Sequence, residues 1–177
     1  MSNRTGTAYA LTTIARINDD AEDDLEDYLA ALPRGKDSPL ARVGGLHLSR
    51  LHIIRRLVHQ GPMQRHRDTL RHAHLVFTAT FNGELGDFLA ELAAKVPECD
   101  EWWGRCVRYP GRADQAAFDD YVASIQVETT LFQSPIPTTT VSEVRDAVAI
   151  RERVIDFAVS TQGLDAAALR QRFSEVF

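Results

Sequence analysis

The strongest constraint on this chain is its order of hydrophobic periodicities: two for a stretch, then three to four, then two twice over, then three to four again. Residues 8–17 alternate as a strand does, with Tyr9, Leu11, Ala15 and Ile17 on one face and Ala10, Thr12 and Ile14 on the other. Asn18, Asp19 and Asp20 then offer capping oxygens to a helix carrying Ala21, Leu25, Tyr28, Leu29 and Leu32, which Pro33 and Gly35 end. After a Gly- and Pro-containing loop, residues 46–58 and 72–81 read as two further strands, joined by a basic, irregular segment. Asn82-Gly83 opens a helix with Leu85, Phe88, Leu89, Leu92 and Val96 on one face. A short aromatic helix around Trp102 and Trp103 and a helix through Phe118 and Ile125 lead to an expected fourth strand at residues 127–133.

Strand–helix–strand–strand–helix–strand is the split βαβ order. It predicts an α+β, ferredoxin-like domain: a four-stranded antiparallel sheet with its helices on one face. Thr140 and Glu143 form a capping box for a long helix to about Ser160, and a last helix starts at Asp165. A chain of 177 residues fits one domain with this C-terminal helical extension from about 140.

The face of the sheet away from the helices carries the chemistry. If residues 46–58 and 72–81 close as a symmetric hairpin with Val58 opposite His72, then Leu51, Ile53 and Leu57 join Ala73, Leu75, Phe77, Ala79 and Phe81 beneath the helices. The other face then holds Leu48, Arg50, His52, Ile54 and Arg56, with His74, Val76, Thr78 and Thr80, and Ala10, Thr12 and Ile14 from the first strand. Such a face is too apolar for bulk water and too rich in hydroxyl, imidazole and guanidinium groups for a dry core. It suits a cavity wall closed by a second copy. A slip of one residue would exchange the faces.

On that wall, His52 and His74 are candidate proton carriers, and Arg50 can clamp or polarise a substrate oxygen. Thr12, Thr78 and Thr80 would position a substrate. His47 points toward the helices by strict alternation, unless a bulge near Gly44-Gly45 turns it. Trp103 and Tyr109 are candidates for an aromatic pocket wall, against their use in helix-on-sheet packing. No helical His-x-x-x-His or Cys-x-x-Cys is present, so no metal site is expected.

Leu46-His47-x-x-Arg50, Phe81-Asn82-Gly83 and Trp103-x-x-Cys106-x-x-Tyr109-Pro110-Gly111 together resemble an uncharacterised bacterial family of dimeric α/β-barrel proteins, sometimes labelled peroxidase-like. The resemblance spans roughly residues 8–158 and implies a homodimer. The wider superfamily includes haem proteins such as dye-decolorising peroxidases and chlorite dismutases, cofactor-free monooxygenases, and small-molecule cyclases or isomerases. It therefore implies a small-molecule enzyme performing oxidation or cyclisation/isomerisation. A haem-dependent peroxidase-like enzyme is one alternative and a non-catalytic ligand-binding protein another. No peroxidase signature carries over residue by residue.

The net charge of −5 argues against a nucleic-acid partner, which needs clustered Lys and Arg, and against an anionic membrane surface. The first seven residues are polar, without the apolar core of a signal peptide. Cys99 and Cys106 would lie about 10.5 Å apart on one helix, too far to bridge. Two free thiols and no leader point to the cytoplasm.

Overall fold

The computed structural model describes residues 3–59, 61–66 and 68–177. The chain divides into two compact units, Met1–Thr138 and Thr139–Phe177.

The first unit is α+β. Its strands are β1 (Arg4–Thr5), β2 (Ala8–Arg16), β3 (Leu46–Ile54) and β4 (His74–Asn82), hydrogen-bonded in the order β1-β2-β4-β3 with every pair antiparallel. β2 and β3 therefore run the same way on either side of β4, which is the split βαβ connection. The helices are α1 (Glu22–Ala31), α2 (Leu85–Lys95), α3 (Cys99–Gly104) and α4 (Gln115–Ile125). Two 3-10 turns, Gly35–Asp37 and Pro39–Arg42, occupy the connection after α1 and deliver Leu40 and Val43 to the core.

The core lies on one side of the sheet. Leu11, Ala15 and Ile17 from β2 and its end, with Leu75, Phe77, Ala79 and Phe81 from β4, pack against Leu25, Phe88, Leu92, Trp102, Trp103, Phe118 and Val122. Thr13 shares this buried side; its hydroxyl donates to the Phe77 carbonyl at 3.5 Å, so the polar atom is not orphaned. Trp103 is the hub, edge-on to Phe77 at 5.4 Å and to Phe118 at 5.6 Å. Trp102 lies beside it at 6.2 Å. Cys99 and Cys106 are both buried and free.

Three features depart from the sequence reading. The β3–β4 register puts Ile54 opposite His74, not Val58 opposite His72, and β3 stops at Ile54. Two residues of shift preserve side-chain parity, so residues 48–54 keep their expected faces, while Arg56 and Leu57 lie beyond the strand. β3 stops there because Arg55 turns away to α1, where its guanidinium meets Asp23 at 2.7 Å and Glu26 at 2.5 Å.

Residues 127–133 form no strand, and the fourth strand is instead the two-residue β1 at the N-terminus. β1 folds back on β2 through Gly6, pairing Arg4 with Tyr9 and Thr5 with Ala8, and the Ala10 N–H donates to the Asn3 carbonyl. Those bonds occupy the near end of the β2 edge, and among the described residues the later segment meets the β2 backbone through a Thr13–Gln126 bridge and a Val127 N–H bond to the Thr12 carbonyl. The far end of that edge is taken by residues around Cys106, which bridges Ile17. Lastly, the irregularity that frees His47 from alternation lies between Leu46 and Leu48, just past the two glycines.

The second unit is a helical hairpin of α5 (Val141–Ser160) and α6 (Ala166–Val176). Thr140 and Glu143 cap α5 reciprocally as expected, and Asp165 accepts from the Ala167 and Ala168 N–H groups at the start of α6.

Candidate functional site

The sheet face opposite the core is a grid set by register. Arg50, Thr78 and Thr12 stand opposite one another across β3, β4 and β2; the next row is His52, Val76 and Ile14. Beyond it stand Ile54, His74 and Arg16, and on the other side Leu48, Thr80 and Ala10. Directly opposed residues on a face have Cβ atoms roughly 5 Å apart, and diagonal ones roughly 7–8 Å. His52 is thus a diagonal neighbour of His74, and Arg50 stands two residues from His52 along β3. Arg50, His52, His74, Thr12, Thr78 and Thr80 are brought together as one patch.

The patch is unevenly wet. Leu48 is 62% exposed and Ile14 40%, while Val76, directly opposite His52, is buried. Arg50 makes no ion pair among the described residues. The Nδ1 of His52 is sequestered from solvent and meets no hydrogen-bond partner among the described residues. A buried polar atom left unmade costs about 1–3 kcal/mol, so this nitrogen is a place where a ligand or second chain would be rewarded.

β3 is the sheet's outer strand on this side and pairs with nothing but β4 among the described residues. Around its free edge runs a cleft of about 870 Å³, between the end of β3 and α1. Leu29, Leu51, Ile53, Ile54 and Leu57 give it apolar walls, and His52 reaches it from the open face. Its size is that of a small-molecule site.

The remaining candidates lie elsewhere. His47 is exposed on the bulge at the start of β3. Trp103 is fully buried, and Tyr109 packs against it at 6.4 Å on the core side of the sheet. Neither ring therefore lines the open face. The Tyr109 hydroxyl donates to Asp100 at 2.6 Å, and Arg112 holds the same carboxylate at 3.0 Å. Burial, and then that bond, push the Tyr109 phenol far above its ordinary value. Burial raises the Cys99 thiol to about 11 and the Cys106 thiol to about 12, so neither is an activated nucleophile. No group of three or more His, Cys, Asp or Glu among the described residues converges as a metal site would.

One constellation escaped the sequence reading. Asp19, just past β2, accepts from Arg16 at 3.1 Å and lies 3.1 Å from the Nδ1 of His72, at the foot of β4. The Arg16 bond, more than the imidazole, holds the Asp19 carboxyl below the usual range. The pair borders a small polar pocket of about 230 Å³ that includes Arg55 and Arg71. The sequence offers Asp19 only as a capping oxygen; the adjacency of the β2 and β4 ends reveals its partner.

Compared with known proteins, the chain matches no family model, no curated protein and no solved structure. The functional reading therefore rests on geometry and on the sequence motifs.

Proposed function

We propose that this chain is a small-molecule enzyme built as a homodimeric, ferredoxin-like α/β barrel, with its site on the open sheet face. The observation that carries the reading is His52: an imidazole on a part-apolar, part-cationic face, beside a ligand-sized cleft, with Nδ1 buried and unpartnered. A second copy laid over Leu48 and Ile14 removes the exposed apolar surface and encloses Arg50, His52 and His74. In the enclosed cavity, Arg50 binds and polarises a substrate oxygen, and an imidazole of His52 or His74 carries a proton between substrate atoms. Thr12, Thr78 and Thr80 orient the substrate by hydroxyl hydrogen bonds. Such a site suits oxidation or cyclisation/isomerisation of a small molecule.

Haem is tested separately, because the motif resemblance extends to haem proteins and three histidines, His47, His52 and His74, lie in β3 and β4. Titration with haemin should give a Soret band that shifts on binding and is lost in H52A or H74A if haem belongs there. The main reading predicts a dimer by light scattering that L48D converts to monomer. It also predicts that some member of a metabolite panel raises the melting temperature of the wild type but not of R50A or H52A. A dimer untouched by L48D, or stabilisation equal in all three chains, would remove the open-face site. No helix among the described residues is long and apolar enough to cross a membrane, and two free buried thiols are compatible with a reducing, cytoplasmic setting.

A further inference from the structure

Helix α5 carries apolar side chains on two opposite sides; on the side toward α6 Phe157 is half-buried, while Ile150 on the same arc stays 53% exposed. At about 100° per residue, Arg153, Phe157 and Thr161 fall on one arc. There Phe157 meets Phe173 at 5.8 Å and Phe177 at 5.6 Å, and Arg153 lies over the Phe177 ring at 5.1 Å. This is the seam of the α5–α6 hairpin. On the opposite side Val144, Val148, Ile155 and Val159 fall within an arc of about 60°. They are 39% to 65% exposed. Four branched apolar side chains in line on a 20-residue helix do not belong in water.

Val144, Val148 and Ile155 take d, a and a positions of a heptad seam, Arg151 fills the d position between the last two, and Val159, four residues past Ile155, falls on the flank of the seam. Arg145 and Glu152 border the seam on one side. None of Arg145, Arg151 or Glu152 makes an ion pair among the described residues. These charges choose the partner and its direction. In a parallel pair of α5 helices, Arg151 would face Arg151. In an antiparallel pair with Val144 of one copy beside Ile155 of the other, Arg151 packs its stem on Val148 and extends its guanidinium outward. Arg145 of each copy then lies beside Glu152 of the other, twice by symmetry.

We infer that the exposed stripe of α5 is a self-association surface that pairs antiparallel with α5 of a second copy, Val144 against Ile155 and Arg145 beside Glu152. The surface is independent of the sheet-face contact proposed above. Its narrow width sets it among small, reversible interfaces, so the pairing is concentration-dependent.

The test uses the full chain in the L48D background, so that sheet-face pairing does not mask the readout. Sedimentation should give a monomer–dimer equilibrium. R145E or E152R alone should raise its dissociation constant about tenfold, because two attractive pairs become two repulsive ones, and R145E/E152R together should restore it. V144C/I155C should oxidise to an intermolecular 144–155 disulfide, mapped by mass spectrometry, in both the wild-type and L48D backgrounds. A chain monomeric at all concentrations, failure of the charge swap to rescue, crosslinks joining 144 to 144, or a crosslink lost with L48D would each overturn the inference.

Discussion

Raising the pH should unfold this protein through its two buried thiols. Cys99 and Cys106 are both buried, and loss of hydration is the main cause of the rise of each from an ordinary value near 9, to about 11 and about 12. In the unfolded chain the thiols ionise from pH 9 upward, while in the folded chain they stay protonated. Above pH 9 the unfolded state therefore binds fewer protons, and stability falls as pH rises. The stabilising difference is fully present below pH 9 and is lost through the window up to the folded values. Each pH unit in that window costs about 1.4 kcal/mol per thiol, so two thiols cost about 3 kcal/mol by pH 10 and on the order of 5 kcal/mol by pH 11. Tyr109 and Tyr121, both raised by burial, add to the slope once pH exceeds 10. A single domain typically has about 5–15 kcal/mol in total, so cooperative loss of structure is expected between pH 10 and 11.

The measurement is urea unfolding followed by far-ultraviolet circular dichroism at half-unit steps from pH 7.5 to 10.5, with reductant present. The midpoint should be flat to pH 9 and then fall. In C99A/C106A it should stay flat to about pH 10, where the phenols take over. A wild-type midpoint constant from pH 8.5 to 10.5, or an identical decline in the double variant, would refute the assignment of the alkaline slope to buried thiols.

Three further substitutions probe the architecture. W103A removes the fully buried ring that touches Phe77, Tyr109, Phe118 and Tyr121 and should cost about 3–5 kcal/mol in urea unfolding; a loss below 1 kcal/mol would show that Trp103 is not the hub. G6A places a methyl group against the Pro137 carbonyl at a residue with φ of 59°, so it should lower the melting temperature by several degrees, whereas G86A, open on all sides, should not. T140A deletes one half of the α5 capping box and should cost about 1 kcal/mol. Glu143 is held below its usual carboxyl value first by the Thr140 N–H and then by the Thr140 hydroxyl, so the penalty should be present at pH 7 and shrink as pH falls through the carboxyl range, read as loss of helical signal on melting.

Much of the fold is readable because alternation and helical spacing are local properties. β2, β3, β4, α1 and α2 announce themselves through side chains that must face one core. The fourth strand could not be read that way. Residues 127–133 have a strand's composition, but β2 has one free edge, and Asn3, Arg4 and Thr5 reach its near end through the Gly6 turn first. That competition is tertiary, and nothing within residues 127–133 encodes its outcome. The register shows the opposite case: a slip of two residues moved every β3–β4 pair yet left the side chains of residues 48–54 on their expected faces, because the pleat has a period of two, whereas His47 and Leu57 fall outside the regular ladder.

The same distinction governs the candidate site. Parity places Arg50, His52, His74, Thr12, Thr78 and Thr80 together, whereas Trp103 and Tyr109 are suggested by residue type alone, and α3 and the turn after it hold them on the core side of the sheet. The Asp19–His72 pair joins two strand ends, where periodicity carries no information. What the structure adds is a gradient. β4, in the middle of the sheet, contributes buried Val76 to the open face, while β3 at the edge contributes Arg50 and the unpartnered His52 nitrogen. Polar groups stand on both strands, with His74, Thr78 and Thr80 on β4, but the one left unsatisfied, His52 Nδ1, lies on the residue that borders the apolar cleft. On the proposed reading, a ligand in the cleft at the free edge of β3 would meet both its apolar walls and His52, which makes this edge the place to look for bound ligand.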